Sequence, residues 1–379
     1  MARLGDICTI YTGTGFPNQY QGETSGDYPF YKVGDISKNV TKGNKYLQEC
    51  DNYVSADIVK KIKGTIVPID TVVFAKIGEA VKLNKRAITS KNCLVDNNAM
   101  GVCPDQKRLN LSYFFHYMCN IQLETYAEAT TVPSVKKSII ENLDIPLPTY
   151  EEQTKKSLIL DKVCDLISLR KQQLSKLDEL VKSRFIELFA SVEDEDRLIN
   201  LCTFIDYRGK TPEKTESGLP FITAKNVKMH HMSLDTQEFI SKETYNKVMT
   251  RGFPQIGDVV FTTEAPLGNV CRIPYIETEF YIGQRIITMQ TEQLEPAYLE
   301  YALSSDEFKR KIAEKSSGST VTGIRSKLLE QLTIPVPPRV LQRQFAAFVE
   351  QVDKSKFEIQ KSLEKLETLK KALMQKYFG

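Results

Sequence analysis

The chain has 379 residues, 41% of them hydrophobic and 26% charged, ordinary values for a soluble globular protein with material for two real cores. Its 51 Lys and Arg stand against 48 Asp and Glu, and a net charge of +3 makes any nucleic-acid footprint a matter of local patches. No apolar run approaches the roughly 20 residues of a membrane span, and Met1-Ala-Arg-Leu-Gly-Asp6 is not a signal segment. A cytoplasmic chain is expected, with its eight cysteines, none in a C-x-x-C pair, as reduced packing residues.

The first head opens with a turn-rich loop, Gly13-Thr-Gly-Phe-Pro17. Short strands are predicted over Tyr28 to Val33 and Thr71 to Ala75, apolar runs bounded by Gly, Asp and Pro. A basic segment follows, with Lys76, Lys82, Lys85, Arg86 and Lys91 against the single acid Glu79; it reads as a patch or as a solvated hairpin. Leu111 to Met118 is predicted helical, its aromatic residues core packing. Next come a polar loop at Thr130 to Val135, a short helix at Lys136 to Leu143, and an Ile145-Pro-Leu-Pro148 exit.

From Tyr150 to Phe189 one uninterrupted helix is predicted. Leu160, Ile167, Leu174, Val181 and Leu188 recur every seven residues, Val163 and Leu177 fill half of the d positions, and Arg170 and Arg184 take the others. The acidic Val192 to Asp196 reads as a solvated linker. The second head repeats the loop as Gly209-Lys-Thr-Pro212 and the strands as Leu219 to Ala224 and Asp258 to Thr262. It repeats the helix as Pro296 to Leu303, the polar loop as Ser316 to Gly323, and the short helix as Arg325 to Leu332. A second long helix runs from Arg339 to Phe378, with Phe345, Val352, Ile359, Leu366 and Leu373 at seven-residue spacing and Phe348 and Leu369 at d positions. Each long helix would span about 60 Å at ~1.5 Å per residue, and alone it would expose an apolar stripe.

The chain is written twice. At an offset of 189, Glu141-Asn-Leu-Asp-Ile-Pro-Leu-Pro148 falls on Glu330-Gln-Leu-Thr-Ile-Pro-Val-Pro337, Gln153 on Gln342, Leu174 on Leu363 and Phe189 on Phe378. The expected fold is α+β. Two similar mixed α/β heads (1–149 and 191–338) are each followed by a long helix (150–190 and 339–379). The helices pair as an antiparallel coiled coil, giving a pseudo-two-fold internal repeat with one head at each end.

Catalytic signatures are missing. The chain has no G-x-x-x-x-G-K-[ST] loop, no Asp/Asn-Pro-Pro-aromatic tetrapeptide and no G-x-S-x-G elbow. With three histidines and no convergent ligand spacing, neither a metal site nor a hydrolytic triad is expected, and the chain reads as one that binds and positions without catalysing.

The head–helix–head–helix order, the Gly-x-Thr-Pro loop at 209–212 and the Ile-Pro-x-Pro exits with Gln153 and Gln342 resemble the specificity (S) subunits of type I restriction–modification enzymes. In the second copy Arg339-Val-Leu-Gln342 departs from the Glu-Glu-Gln pattern but keeps the Gln. The resemblance implies that each head is a target-recognition domain reading one half of a split double-stranded DNA sequence, with the helices as spacer. It implies two methyltransferase (M) subunits that use S-adenosylmethionine to modify adenine, and restriction/translocase (R) subunits that use ATP and Mg²⁺. Those cofactors belong to the partners, and none is expected on this chain. Loop residues of both copies are the DNA-binding candidates: Lys32, Lys76, Lys82, Lys85, Arg86, Ser134 and Lys136 in the first head, and Arg208, Lys210, Lys225, Asn226, Arg272, Ser319, Thr320 and Arg325 in the second. Arg suits guanine, Asn suits adenine and Lys suits phosphate. Lys136 and Arg325, at predicted helix starts, are the leading pair. Two other readings stay open: the recognition subunit of a type IIB-like or orphan adenine methyltransferase, and a coiled-coil scaffold that binds only proteins.

Overall fold

The computed structural model describes residues 1–127, 133–207, 209, 212–234, 238–315 and 323–379. They form two compact units, Met1–Gln172 with Gln360–Gly379, and Gln173–Ile359. Both long helices, Tyr150–Phe189 and Arg339–Phe378, are 40 residues long, and the division cuts each of them. Each unit is therefore one head with a stretch of both helices.

The two heads share one strand plan. In the first, a four-stranded antiparallel sheet runs in the order Cys8–Thr12, Ala99–Pro104, Val72–Ala75, Arg86–Ile88. Beside it lies a three-stranded sheet of Tyr53–Val54, Tyr28–Tyr31 and Leu94–Val95, whose last pair is parallel. The second head repeats both sheets, as Thr203–Asp206, Ile286–Gln290, Val259–Thr262, Val270–Arg272 and as Glu238–Ile240, Leu219–Ile222, Tyr281–Ile282. Val72–Ala75 and Val259–Thr262 are unbroken apolar or β-branched runs because every residue in them is buried. The glycine-rich entry of the first head also has a physical cause. A Cβ on Gly13 would sit 1.7 Å from the Asp96 carbonyl oxygen, so this backbone crossing admits no side chain.

Each head is closed at its exit by a short antiparallel pair, Ala2–Arg3 with Asp144–Ile145 and Glu195–Arg197 with Thr333–Pro335. The second pair corrects the reading of Val192 to Asp196 as solvated linker. Its C-terminal end is strand, and the Glu195 carboxylate accepts hydrogen bonds from Lys311 Nζ at 2.7 Å and from the Thr333 hydroxyl. A helix over Asp306–Lys315, between the predicted head helix and the predicted polar loop, buries Phe308 and Ile312. Their i, i+4 spacing was its only signal. The predicted short helices are shorter still, Lys137–Glu141 and Ser326–Leu329.

The repeated exit motif has a repeated job. Gln153, 1% exposed, accepts from the Asn110 N–H at 2.8 Å and donates to the carbonyls of Arg108 and Pro148, both at 3.0 Å. Gln342, also 1% exposed, accepts from the Glu295 N–H at 2.9 Å and donates to the Pro337 carbonyl at 2.7 Å. Asn110 and Glu295 are the N-caps of the head helices Leu111–Asn120 and Pro296–Ser304, so one amide ties a helix start in the head to the long helix. Tyr113 and Tyr298 donate likewise to the carbonyls of Pro146 and Pro335.

The long helices run antiparallel where they meet within each unit. In the first unit, Lys171 pairs with Glu367 and Lys156 lies over the Tyr377 ring; in the second, Lys356 pairs with Asp178 and Phe185 packs edge-on against Phe345. The last aromatic of each helix enters the other copy's head: Phe378 lies 5.0 Å from Tyr113, and Phe189 lies 4.8 Å from Tyr298. Among the expected seam residues, Leu160, Val163, Val181, Phe345 and Val352 are buried, while Ile167, Leu174, Leu177, Leu188, Ile359, Leu366 and Leu373 are half-buried. Leu369 is 46% exposed, a correction to its d assignment; Val349, Leu363 and Met374 are buried in that helix instead. An unbroken helix drifts by ~20° per heptad against a seven-residue repeat, so a strict heptad reading places some buried residues one position off.

Replacing Gln153 or Gln342 with Leu leaves a buried N–H and at least one carbonyl unpaired, at a cost of about 1–3 kcal/mol. The unfolding transition should fall in urea and in heat for either variant. An unchanged midpoint would remove the two amides as structural ties.

Candidate nucleic-acid interface

Two charged clusters fasten the heads to the helices. In the first unit, Asp161 on the long helix receives Lys45 Nζ at 2.7 Å, the Ser112 hydroxyl at 2.6 Å and the His116 ring at 2.9 Å. Burial would raise the Asp161 carboxyl, but the hydrogen bonds from His116, Lys45 and Ser112 outweigh it and hold the group well below the usual carboxylate range. In the second unit, Arg272 bridges Glu300, at 2.6 Å, to Asp353 on the other long helix, at 2.9 Å. Glu300 is 1% exposed and also meets His230 at 2.8 Å. His230 stacks on Tyr301 with ring centroids 4.2 Å apart.

These clusters reassign some of the sequence candidates. Arg272 holds helix to head, and its guanidinium is engaged on both sides. Arg86 is buried, with its guanidinium bonded to Asn84 and to the Lys85 and Ile121 carbonyls and stacked over Phe74. Burial pushes its pKa down to about 10. Asn226 is buried too; its amide oxygen accepts from the N–H and hydroxyl of Thr223, and its nitrogen donates to the Ser233 carbonyl. All three are corrected from surface readers to structural ties.

Several cations of the basic segment are engaged within the head. Lys85 donates to the Ser37 and Thr41 hydroxyls, Lys82 pairs with Glu79, and Lys91 lies over Tyr53. Lys32 donates to Gln21 and sits over Phe16. The structure does bring Lys76, Ser134 and Lys136 together, because the Val135 N–H donates to the Lys76 carbonyl at 2.8 Å and Ile77 bridges to Ser134. The second head repeats this crossing, with the Ile324 N–H on the Thr263 carbonyl at 3.0 Å and Glu264 bridged to Gly323; Arg325 therefore occupies the place of Lys136. Both are exposed. They precede helices of only five and four residues, too short for the anion-binding helix start expected of them. Lys225 is exposed on the rim of a 300 Å³ groove. Arg208, Lys210, Ser319 and Thr320 lie outside the described residues.

The family model for the type I restriction modification DNA specificity domain matches residues 1–179 and again 197–371. The chain belongs to this family. The Methanocaldococcus jannaschii type I restriction enzyme MjaVIII specificity subunit is 25% identical, over 99% of this chain and 90% of its own length. The MjaIX specificity subunit of the same organism is 20% identical over 99% and 91%. Among solved structures, the type I restriction–modification S subunit from M. genitalium covers all of this chain and 95% of its own, with 16% identity and a TM-score of 0.60. A chain from a study of type I R-M complex assembly and conformational transition aligns over 100% and 96%, with 20% identity and a TM-score of 0.54. The fold is that of the specificity subunits, and two copies of the specificity domain make the internal repeat. Among the described residues, no helix is long and apolar enough to cross a membrane.

Apart from Lys225, sequence reasoning missed the residues lining the grooves of the two heads. In the second head these include Lys214, Gln284 and Arg285; in the first, a 570 Å³ groove is lined by Phe16, Tyr20, Lys61 and Asn97. The one available signal was the sharing of Phe16 and Pro17 with the Gly13 loop.

The Asp161 carboxyl has a folded pKa below its unfolded value, so its contribution to stability is present above about pH 4 and lost as pH falls below it. Asp161→Asn should flatten the acid limb of the stability–pH curve below about pH 4; parallel acid limbs for variant and parent would refute this. Arg272→Ala leaves Glu300 without its guanidinium. The cost should be about 2–3 kcal/mol, less than for a fully buried pair because Arg272 is a third exposed. A drop in melting temperature checks it.

Proposed function

We propose that this chain is the DNA-reading subunit of a type I restriction–modification enzyme, and that each head reads one half of a bipartite target. The observation that carries the reading is one head built twice with the same two sheets, each seated on antiparallel helix stretches. Sequence reading needs side chains at base edges and phosphate contacts that fix register. Two readers on a shared helical spacer make half-site separation a geometric quantity. The chain itself carries no catalytic constellation in this reading. Adenine methylation, which requires the base to be flipped from the duplex, falls to two methyltransferase subunits that supply S-adenosylmethionine, and restriction falls to translocase–endonuclease subunits with ATP and Mg²⁺. Lys76, Ser134 and Lys136 in one head and Lys225 and Arg325 in the other are the exposed or half-buried groups assigned to phosphate and base contacts.

Deleting the gene and mapping adenine methylation across the host genome should erase one bipartite motif; a methylome that does not change would sink the proposal. Arg325→Ala in the assembled methyltransferase should weaken binding alike on all sequences and lower the salt slope by about one unit, the mark of a lost phosphate contact. Unchanged affinity at moderate salt would remove Arg325 from the interface.

A further inference from the structure

Both heads carry one exposed turn at the same place in the strand plan. It leaves the edge strand of the three-stranded sheet, Leu94–Val95 or Tyr281–Ile282, and enters the central strand of the four-stranded sheet, Ala99–Pro104 or Ile286–Gln290. One main-chain bond is common to both: the Lys76 N–H donates to the Asn98 carbonyl at 2.8 Å, and the Thr263 N–H to the Arg285 carbonyl at 2.9 Å; in the first head the Asn98 N–H also donates to the Asp96 carboxylate at 2.9 Å. The turn residues are Asn97-Asn98 in one head and Gln284-Arg285 in the other, all exposed except the half-buried Gln284. Asn97 lines the first head's groove, and Gln284 and Arg285 line the second's.

The side chains at this position match the hydrogen-bonding chemistry of base edges. Asn and Gln amides pair with adenine N6 and N7, and the Arg guanidinium pairs with guanine O6 and N7. The second head adds a positioning device. Arg285 adopts φ +72°, a left-handed conformation that a long side chain rarely takes. Its Nε lies 3.2 Å from the Glu264 carboxylate, while the side chain remains 54% exposed. The equivalent of Glu264 in the first head is Ile77, as the bridges Glu264–Gly323 and Ile77–Ser134 show, so the charged pair is confined to the second head. Lys225 flanks the same groove as a cation suited to phosphate, beside Lys214, which pairs with Glu238 at 2.7 Å.

The geometry points to this turn as the base-reading element of each head, with Arg285 reading a guanine in the second head's half-site and Asn97-Asn98 reading an adenine in the first's. The inference rests on the proposed DNA-reading function, and its test separates the two. In the host, the gene is replaced by Arg285→Gly or by Asn97→Ala with Asn98→Ala, and adenine methylation is mapped beside the parent. Glycine suits φ +72°, so Arg285→Gly should fold at least as stably as the parent. Methylation should persist, with the motif relaxed at one G·C pair of one half-site and discrimination there falling roughly 10- to 100-fold. The asparagine variant should relax an A·T pair in the other half-site. A parent that supports no bipartite motif refutes the function itself. If the parent does support one, three results overturn the turn assignment: variant motifs identical to the parent's, uniform loss at every site, or an Arg285→Gly protein with a lowered melting temperature, which would make the guanidinium a structural tie to Glu264.

Discussion

A forty-residue amphipathic helix cannot bury its own apolar stripe, and this chain contains two. Each therefore needs the other, and their antiparallel course carries the end of each to the head that belongs to its partner. Phe378 closes the aromatic core around Tyr113 and Tyr117, and Phe189 does the same around Tyr298 and Phe345. Neither head is completed by the residues that directly follow it alone; the end of the other long helix is also required. The repeat is thus a requirement of packing as well as a trace of duplication: one copy alone would leave both an open core and a bare helix.

The polar ties sharpen what the apolar contacts leave loose. Hydrophobic packing along a helix pair tolerates sliding, whereas a carboxylate with three donors, as at Asp161, is satisfied in one arrangement. Arg272 serves the second unit similarly, bonding to Glu300 in the head and Asp353 on the helix. The buried amides of Gln153 and Gln342 add a directional link at each helix start. Surface ion pairs such as Lys155 with Glu151 contribute little by comparison, since water screens both partners.

The legible part of the fold was the part governed by periodicity. Heptad spacing and the absence of Pro and Gly gave both helices, and the 189-residue register gave the repeat. The site was far less legible, because a residue type does not reveal whether its polar atoms are already engaged. Arg86, Asn226 and Arg272 have the chemistry of base readers, and tertiary partners consume it. Arg285 was passed over because its exposure depends on a backbone turn between two sheets, and no local pattern in the sequence encodes that turn. The Asp306–Lys315 helix was hidden for a related reason: Phe308 and Ile312 in a ten-residue stretch that is otherwise charged apart from one alanine give a weak periodic signal until packing reveals the face they share.

The two heads differ where the backbone does the holding. At the turn before Ala99 and Ile286, the bond that both heads share runs from main-chain N–H to main-chain carbonyl, with the Asp96 carboxylate as an extra acceptor in the first head only, and at the neighbouring crossing the Val135 and Ile324 N–H groups also donate to main-chain carbonyls. Main-chain bonds do not depend on side-chain identity, so these positions can exchange asparagine for arginine, or isoleucine for glutamate, without disturbing the sheets. At the helix junctions, Gln153 and Gln342 hold alike, as do Tyr113 and Tyr298, while the charged ties at Asp161 and Arg272 use different residues for the same end. A scaffold fixed by side chains at its helix junctions and by main chain at its exposed turns can change what it contacts while keeping its shape, as a reader of two unlike half-sites on one repeated frame requires.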